Sequence, residues 1–259
     1  MSVLWINTVE PLLTVIEKIP YPYYDKGVAH SGEETSPEWI NYDPKKLTMS
    51  GTVSAIETGK YVTSFTPKED FCWMDGSVEE YLIEWNIFGE IVSYPKISET
   101  LTYNEKSQSP TWVNYVTDAM TLSGDKSATN AGTYTSVFTL TEGYGWEDGK
   151  DEPYNVAWEI EKRSAIKSFS PKTMTLSLAN DSYKGFTVYL YTETFEKGYS
   201  EKFSPTGIAR HGGGGSVANS SKTMNICPVA VGKTTYTVTV GETANHKSAV
   251  ATCEITVTA

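Results

Sequence analysis

Residues 144–149 read Tyr-Gly-Trp-Glu-Asp-Gly, and residues 71–76 read Phe-Cys-Trp-Met-Asp-Gly. The reading of this doubled pattern decides the fold. In each copy the two aromatics stand two residues apart, which places them on one face of an extended strand. Asp-Gly then supplies turn chemistry, because Asp bonds its own backbone and Gly accepts positive φ. The spacing therefore favours core aromatics running into a turn. The alternatives are a sugar-stacking platform and a calcium site. One Asp per turn falls far short of the roughly six oxygen ligands calcium takes.

The motif belongs to a larger repeat. Residues 37–87 align with 110–160 at a constant offset of 73, without a gap, and 21 of the 51 positions are identical. The shared positions include Trp39/Trp112, Asn41/Asn114, Tyr61/Tyr134, Phe65/Phe138, Trp73/Trp146 and Trp85/Trp158. Two copies of one domain is the economical reading. Within each copy the apolar period is two. Tyr81, Ile83, Trp85 and Ile87 alternate with Leu82, Glu84 and Asn86, and Tyr154, Val156, Trp158 and Ile160 alternate with Asn155, Ala157 and Glu159. Such alternation signals strands with one buried face. The abundance of Tyr (17), with 7 Trp and 8 Phe, suits pleated, half-buried surfaces and leans the same way.

After Ile160 a polar, Pro-containing joint (residues 161–173) precedes a different pattern. Strand-like runs at 174–179, 186–194, 222–226, 234–240 and 248–259 are separated by turn residues at the spacing of a sandwich. The Gly-rich run 212–216 is read as a loop inside this domain, because strand signals flank it. The expected organisation is an N-terminal segment (1–19), two repeats (20–90 and 91–161) and a third domain (162–259). The fold class is all-β.

The stretches YNEKSQSPTWVNY (103–115) and TLSGDKSATNAGTYTSVFTLTEGYGWEDG (121–149) resemble the small bacterial Ig-like repeats of cell-surface proteins and of phage structural proteins from Gram-positive hosts. The third domain is similar to the bacterial Ig-like group 2 domain. That likeness rests on Lys172-Thr173, VAVGKTTYTVTV (229–240) and ETANHKSAVATCEITVTA (242–259). The resemblance implies tandem Ig-like β-sandwiches without catalytic residues or cofactor. The first repeat departs from the pattern. Tyr24-Asp25 to Pro37 is six residues longer than Tyr103-Asn104 to Pro110, so its first loop is expected to be remodelled.

Chemistry finds little support elsewhere. A net charge of −11 argues against nucleic acid, since phosphate binding needs clustered Lys and Arg, and it disfavours anionic lipid. No apolar run approaches the roughly 18 residues of a membrane span. Cys72, Cys227 and Cys253 read as buried free thiols, with a Cys227–Cys253 bridge as the alternative. His30, His211 and His246 are scattered, and the pairs Glu33-Glu34, Glu79-Glu80 and Asp151-Glu152 are adjacent, hence on opposite faces of any strand. No catalytic, cofactor-binding or metal-binding residue is assigned.

The functional expectation is a structural protein of a bacteriophage particle, a capsid decoration or tail-associated appendage. It is made in the host cytoplasm and displayed on the virion surface. The alternative is a bacterial surface adhesin or carbohydrate-binding module. The apolar start is interrupted by Glu10 and Pro11 and lacks a basic beginning, so no signal peptide is expected. Val3, Leu4, Trp5, Ile6, Leu12, Leu13, Val15 and Ile16 are the candidate partner-docking residues. Left exposed they would be a liability. Two outcomes satisfy them: an added strand on the first domain, or docking on a capsid or tail subunit or a second copy of the chain. The second is favoured because the other repeat shows no equivalent segment. Weak binding to glycans or the host surface by the displayed domains is a further expectation.

Overall fold

A computed structural model of the chain describes residues 16–191, 198–213, 216–218 and 220–259. Among these, every regular element is a strand, and the fold is all-β. The first repeat holds β1 (Glu17–Ile19), β2 (Val28–Ala29), β3 (Leu47–Gly51), β4 (Gly59–Pro67), β5 (Phe71–Trp73) and β6 (Tyr81–Phe88). Its sheet has the order β3-β4-β6-β2, with β2 parallel to β6. β1 runs parallel to β5, with Ile19 opposite Trp73. The period-two reading of residues 81–87 is visible in burial: Trp85 and Ile87 are buried while Leu82 is exposed. Tyr61 stands opposite Trp85, and Ile19, Leu47, Phe65 and Trp73 form a core cluster.

The second repeat holds β7 (Glu90–Val92), β8 (Lys96–Ile97), β9 (Leu101–Thr102), β10 (Trp112–Val113), β11 (Met120–Gly124), β12 (Gly132–Leu140), β13 (Tyr144–Trp146) and β14 (Tyr154–Glu161). Its strand order, β11-β12-β14-β9, is that of the first repeat.

Two expectations need correction. The N-terminal segment does not extend to residue 19, because Glu17–Ile19 is the first strand of the first repeat. For these three residues the added-strand outcome holds, and the second repeat does have an equivalent. Glu17–Ile19 matches Glu90–Val92, which pairs with β13 as β1 pairs with β5. The upstream loop is not remodelled either. The offset of 73 carries Val28–Ala29 onto Leu101–Thr102, and the Thr35–Ala55 bridge onto Gln108–Ala128. The match of Tyr24 with Tyr103 was a coincidence of residue type. In the structure Tyr103 corresponds to His30, whose amide bonds Phe88 O as that of Tyr103 bonds Glu161 O.

The third domain holds β15 (Arg163–Ser164), β16 (Ile166–Ser170), β17 (Thr173–Ser177), β18 (Lys184–Leu190), β19 (Tyr199–Ser204), β20 (Ala209–His211), β21 (Val217–Ala218), β22 (Ser221–Pro228), β23 (Gly232–Val240), β24 (His246–Lys247) and β25 (Ala249–Thr258). One sheet has the order β16-β18-β22-β20 and the other β17-β25-β23-β19, with β17 parallel to β25. The leading chain splits between the sheets. The remaining strands distribute as B-E-D and G-F-C, which is the immunoglobulin arrangement. Phe186, Met224, Ile226, Tyr236, Val238 and Ile255 fill the core. β20 and β21, which flank the Gly-rich run, both pair with β22.

By packing, the chain forms two compact units. The first holds the described residues up to Lys96 together with Trp112–Ser123 and Val137–Val156; the second holds Ile97–Thr111, Gly124–Ser136 and Ala157–Ala259. The division cuts across β11, β12 and β14 rather than falling between repeats.

Trp85 and Trp158 are buried, and their indole N–H groups are spent inside. Trp85 donates to Thr63 Oγ1 at 2.9 Å, and Trp158 donates to Asp125 O at 3.1 Å. Truncating either to Ala should cost about 3–5 kcal/mol, the usual range for a core aromatic. The urea midpoint followed by far-UV circular dichroism would show it, and an unchanged midpoint would place these rings outside the core.

Candidate functional site

Of the predicted docking residues, Val3, Leu4, Trp5, Ile6, Leu12, Leu13 and Val15 lie outside the described residues. Ile16 is described. It stands immediately ahead of β1 and is 56 % exposed.

The two aromatic tips are resolved in detail. Trp73 is 1 % exposed and Trp146 is 0 % exposed. Tyr21 stacks on Trp73 at 4.6 Å and 21°, and Tyr94 on Trp146 at 4.7 Å and 20°. The indoles donate to Glu79 O at 2.8 Å and to Glu152 O at 2.9 Å. Each stacked tyrosine closes the unit by donating to the motif aspartate: Tyr21 to Asp75 Oδ2 at 3.0 Å, Tyr94 to Asp148 Oδ1 at 2.8 Å. The amides of Ser77 and Lys150 bond the same carboxylates, and Gly76 and Gly149 take φ of 89° and 84°. With both ring faces covered there is no stacking platform. The motif is a core aromatic running into a turn.

These bonds set the charges. The amide and hydroxyl of Ser77 hold the Asp75 carboxyl below its ordinary pKa. Burial works against the charge of Asp148, but bonds from Lys150 and Tyr94 outweigh it, and its pKa is also lowered. The motif's spacing does not reveal the tyrosines. The signal was available nonetheless, because the offset of 73 continues upstream through Glu17/Glu90 and Tyr21-Pro22/Tyr94-Pro95. Asn41 and Asn114, both at φ 65°, donate to the carbonyls of these tyrosines, each at 3.2 Å. Trp39 and Trp112, shared between the repeats, are half-buried. They pack edge-on against Phe65 and Phe138.

Within the first unit the tip 143–151 is a docking surface already in use. Gly27 donates to Glu147 O at 2.7 Å and Gly89 to Gly143 O at 2.8 Å. A Cβ on Gly145 would stand 2.2 Å from the Phe88 ring, and one on Gly149 would stand 2.6 Å from Tyr24. Glycine is what allows this approach. Lys60 pairs with Asp151 at 3.2 Å. Burial raises the pKa of the Tyr24 phenol, and the nearby charges of Asp148 and Asp151 add to it.

Within the second unit the start of the third domain is held by Arg163. Its guanidinium lies over Tyr191 at 3.3 Å and over Tyr103 at 4.9 Å, and it bonds the Glu105 carboxylate. Arg163 Nε donates to Nε2 of buried His246 at 3.0 Å. The amide of Ala131 bonds Asn245 Oδ1 at 2.8 Å, and Lys162 bonds Glu242 at 2.5 Å.

Among the described residues, the other side chains that could carry chemistry are placed as follows. His211 Nδ1 stands 3.6 Å from Glu201, which also accepts from the Tyr236 hydroxyl. Cys227 pairs in register with Arg210, so strand alternation puts its thiol on the opposite face from His211. Among the described residues no group of three or more His, Cys, Asp or Glu is placed to hold a metal ion. A groove of about 640 Å³ in the second unit is lined by Glu99, Pro110, Glu159 and Glu161, with Trp158 buried beneath it. All three cysteines are free, and the alternative Cys227–Cys253 bridge is not formed.

No family model matches the chain, and no curated protein does. Among solved structures it overlaps domains 4 and 5 of the S-layer protein SbsC at 13 % identity, covering 83 % of this chain and 98 % of that one, with a TM-score of 0.28. It overlaps an I-band fragment of titin at 10 % identity, 92 % and 99 % coverage and a TM-score of 0.28. An endo-fucoidan hydrolase of glycoside hydrolase family 107 overlaps at 11 % identity and a TM-score of 0.21, with 95 % of this chain and 45 % of that one covered. Overlap at this level carries no argument about function.

Two outcomes follow from the site. Gly145→Ala should drive its methyl into the Phe88 ring and destabilise the first unit by about 1–3 kcal/mol, the usual cost of overpacking. Phe88→Ala, which removes a buried aromatic and is costly by itself, should leave the added methyl nearly harmless, so the two costs together should be less than their sum. A double-mutant cycle on thermal unfolding reads the coupling, and simple additivity would contradict the contact. Burial, with the Glu254 charge adding to it, pushes the Cys253 thiol up to about 11, and Cys72 is buried, whereas Cys227 is partly exposed. Alkylation of the native protein near pH 8 should therefore modify Cys227 first, and rapid modification of Cys253 would contradict its burial.

Proposed function

We propose that this chain is a non-enzymatic structural protein of a bacteriophage particle, attached through its N-terminal segment and displaying Ig-like domains as a spacer. The observation that carries the non-enzymatic reading is the use made of the reactive-looking residues. Both motif tryptophans, both motif aspartates and Arg163 are occupied in holding domains and joints together. The particle assignment rests on the resemblance of the repeats to those of phage structural proteins, and on the apolar character of residues 3–16.

The test must respect β1. Because Ile19 is a core residue paired with Trp73, a truncation has to stop short of Glu17. Deleting residues 2–15 should leave a folded protein that no longer joins particles when assembled alongside them. Immunogold electron microscopy of purified particles would show the wild-type chain on their surface and the truncated chain absent. Normal incorporation of the truncated protein would refute attachment through this segment. A wild-type chain found on the bacterial envelope and not on particles would favour the adhesin reading.

A further inference from the structure

In the second repeat β9 accompanies β14 for only a short way. It pairs at Ile160 and Glu161, and residues 98–100 upstream of it are outside the sheet. The amide of Tyr103 donates to Glu161 O at 2.9 Å, so the backbone groups of Glu161 face β9. The two-residue period of a strand turns those of Ala157 and Glu159 to the same side. Among the described residues no strand pairs with that side of 157–159. The groove of about 640 Å³ opens here, between residues 97–101 and 157–159. A free sheet edge of this kind is a template for a further strand.

The first repeat closes the same place with its own side chain. Tyr24 stands where the second repeat has Ile97, and its hydroxyl donates to Glu84 O at 3.1 Å, the carbonyl that answers to that of Ala157. Ile97 has no hydroxyl to give. The charge differs as well. The offset of 73 carries Lys26, Asn86 and Phe88 onto Glu99, Glu159 and Glu161. Lys26 forms an ion pair with Glu38 at 3.1 Å, whereas the corresponding contact on Glu99 is a bond from the Thr111 hydroxyl at 2.7 Å, which brings no positive charge. Glu161 shares its charge with Lys247 at 3.1 Å. Among the described residues no Lys or Arg lines the groove.

We propose that this groove receives an extended segment of another protein that carries lysine or arginine at alternate positions. The segment's backbone pairs with the free edge at Ala157 and Glu159, and its basic side chains lie among Glu99, Glu159 and Glu161. In such strand addition the main-chain bonds supply the hold and alternate side chains supply the specificity. Charge complementarity selects the occupant. A second copy of this chain, pairing edge to edge, would set the same carboxylates against each other, which is unfavourable. The inference goes beyond the particle reading and does not use it. Its test needs no particle, so either can fail alone.

The experiment is a titration of the full 15N-labelled chain with a short capped peptide of alternating lysine and valine, followed by amide NMR. The peptide should shift the amides of Ala157 and Glu159 saturably. Glu99 and Glu159 are exposed, so a Glu99→Gln, Glu159→Gln variant keeps its fold and should bind about tenfold more weakly, as the loss of two exposed ion pairs allows. A glutamate–valine peptide should not bind. Neither should the lysine–valine peptide with every backbone amide N-methylated, which can donate no strand hydrogen bond. Equal binding of the N-methylated peptide overturns strand pairing and leaves charge attraction alone. Shifts confined to other surfaces, or unchanged affinity in the double variant, overturn the site. Hydrogen exchange of the free chain supplies a further check, because the amides of Ala157 and Glu159 should exchange rapidly. Protection lost on dilution would give the edge to a second copy, and protection kept would give it to another part of this chain; both overturn the proposal.

Discussion

The structure depends on the parallel pairing of a short entering strand with the strand that carries the motif tryptophan. β1 on β5 and β7 on β13 are each three residues long. A pair this short has few backbone bonds and cannot hold by itself. What fixes it is the stack of Tyr21 on Trp73 and of Tyr94 on Trp146, closed by the tyrosine hydroxyl on the aspartate of the following turn. Aromatic pairs of this kind contribute about 0.5–1.5 kcal/mol beyond the area they bury. The stack also sets where the chain enters each repeat, and the rest of the sheet follows from that entry.

The same device governs how repeats join. β6 ends at Phe88 and β7 begins at Glu90, so Gly89 is the whole linker; β14 ends at Glu161 and β15 begins at Arg163, so Lys162 is. A one-residue linker leaves little freedom between a strand that completes one domain and a strand that opens the next. In the first unit the contact is made by close approach at Gly145 and Gly149. In the second unit it is made by Arg163 stacked on aromatic rings and bonded to carboxylate and imidazole. Equivalent positions, Glu90 and Arg163, thus serve a glycine-mediated joint and a cation-mediated one.

Much of this was legible in the sequence. Alternation at 81–87 and 154–160 fixed which side chains face inward, because a strand has no other way to bury one face. The Asp-Gly steps announced turns, since glycine alone accepts the required φ without strain. Five strands of the third domain were readable from β-branched runs, but Ile166–Ser170, inside the stretch read as a polar joint, and Tyr199–Ser204 and Ala209–His211 were not, nor was the division between two sheets. The loop after Tyr24 misled because tyrosine is common here, and matching by residue type chose the wrong partner. The constant offset of 73 already assigns His30, not Tyr24, to Tyr103, and the equivalent backbone bonds of the two residues agree.

By itself the sequence determined the all-β class, the duplication at an offset of 73 and the inward face of the strands around 81–87 and 154–160, since these follow from local period and self-similarity. Tertiary structure alone decided that Glu17–Ile19 belongs to the first repeat and that Tyr21 and Tyr94 cap the tryptophans. It also decided that Phe88 and Arg163 make the joints. Tyr21 and Trp73 lie far apart along the chain, and no local pattern records which distant ring will lie over a buried indole. That contact is chosen by which surfaces remain uncovered once the strands have paired.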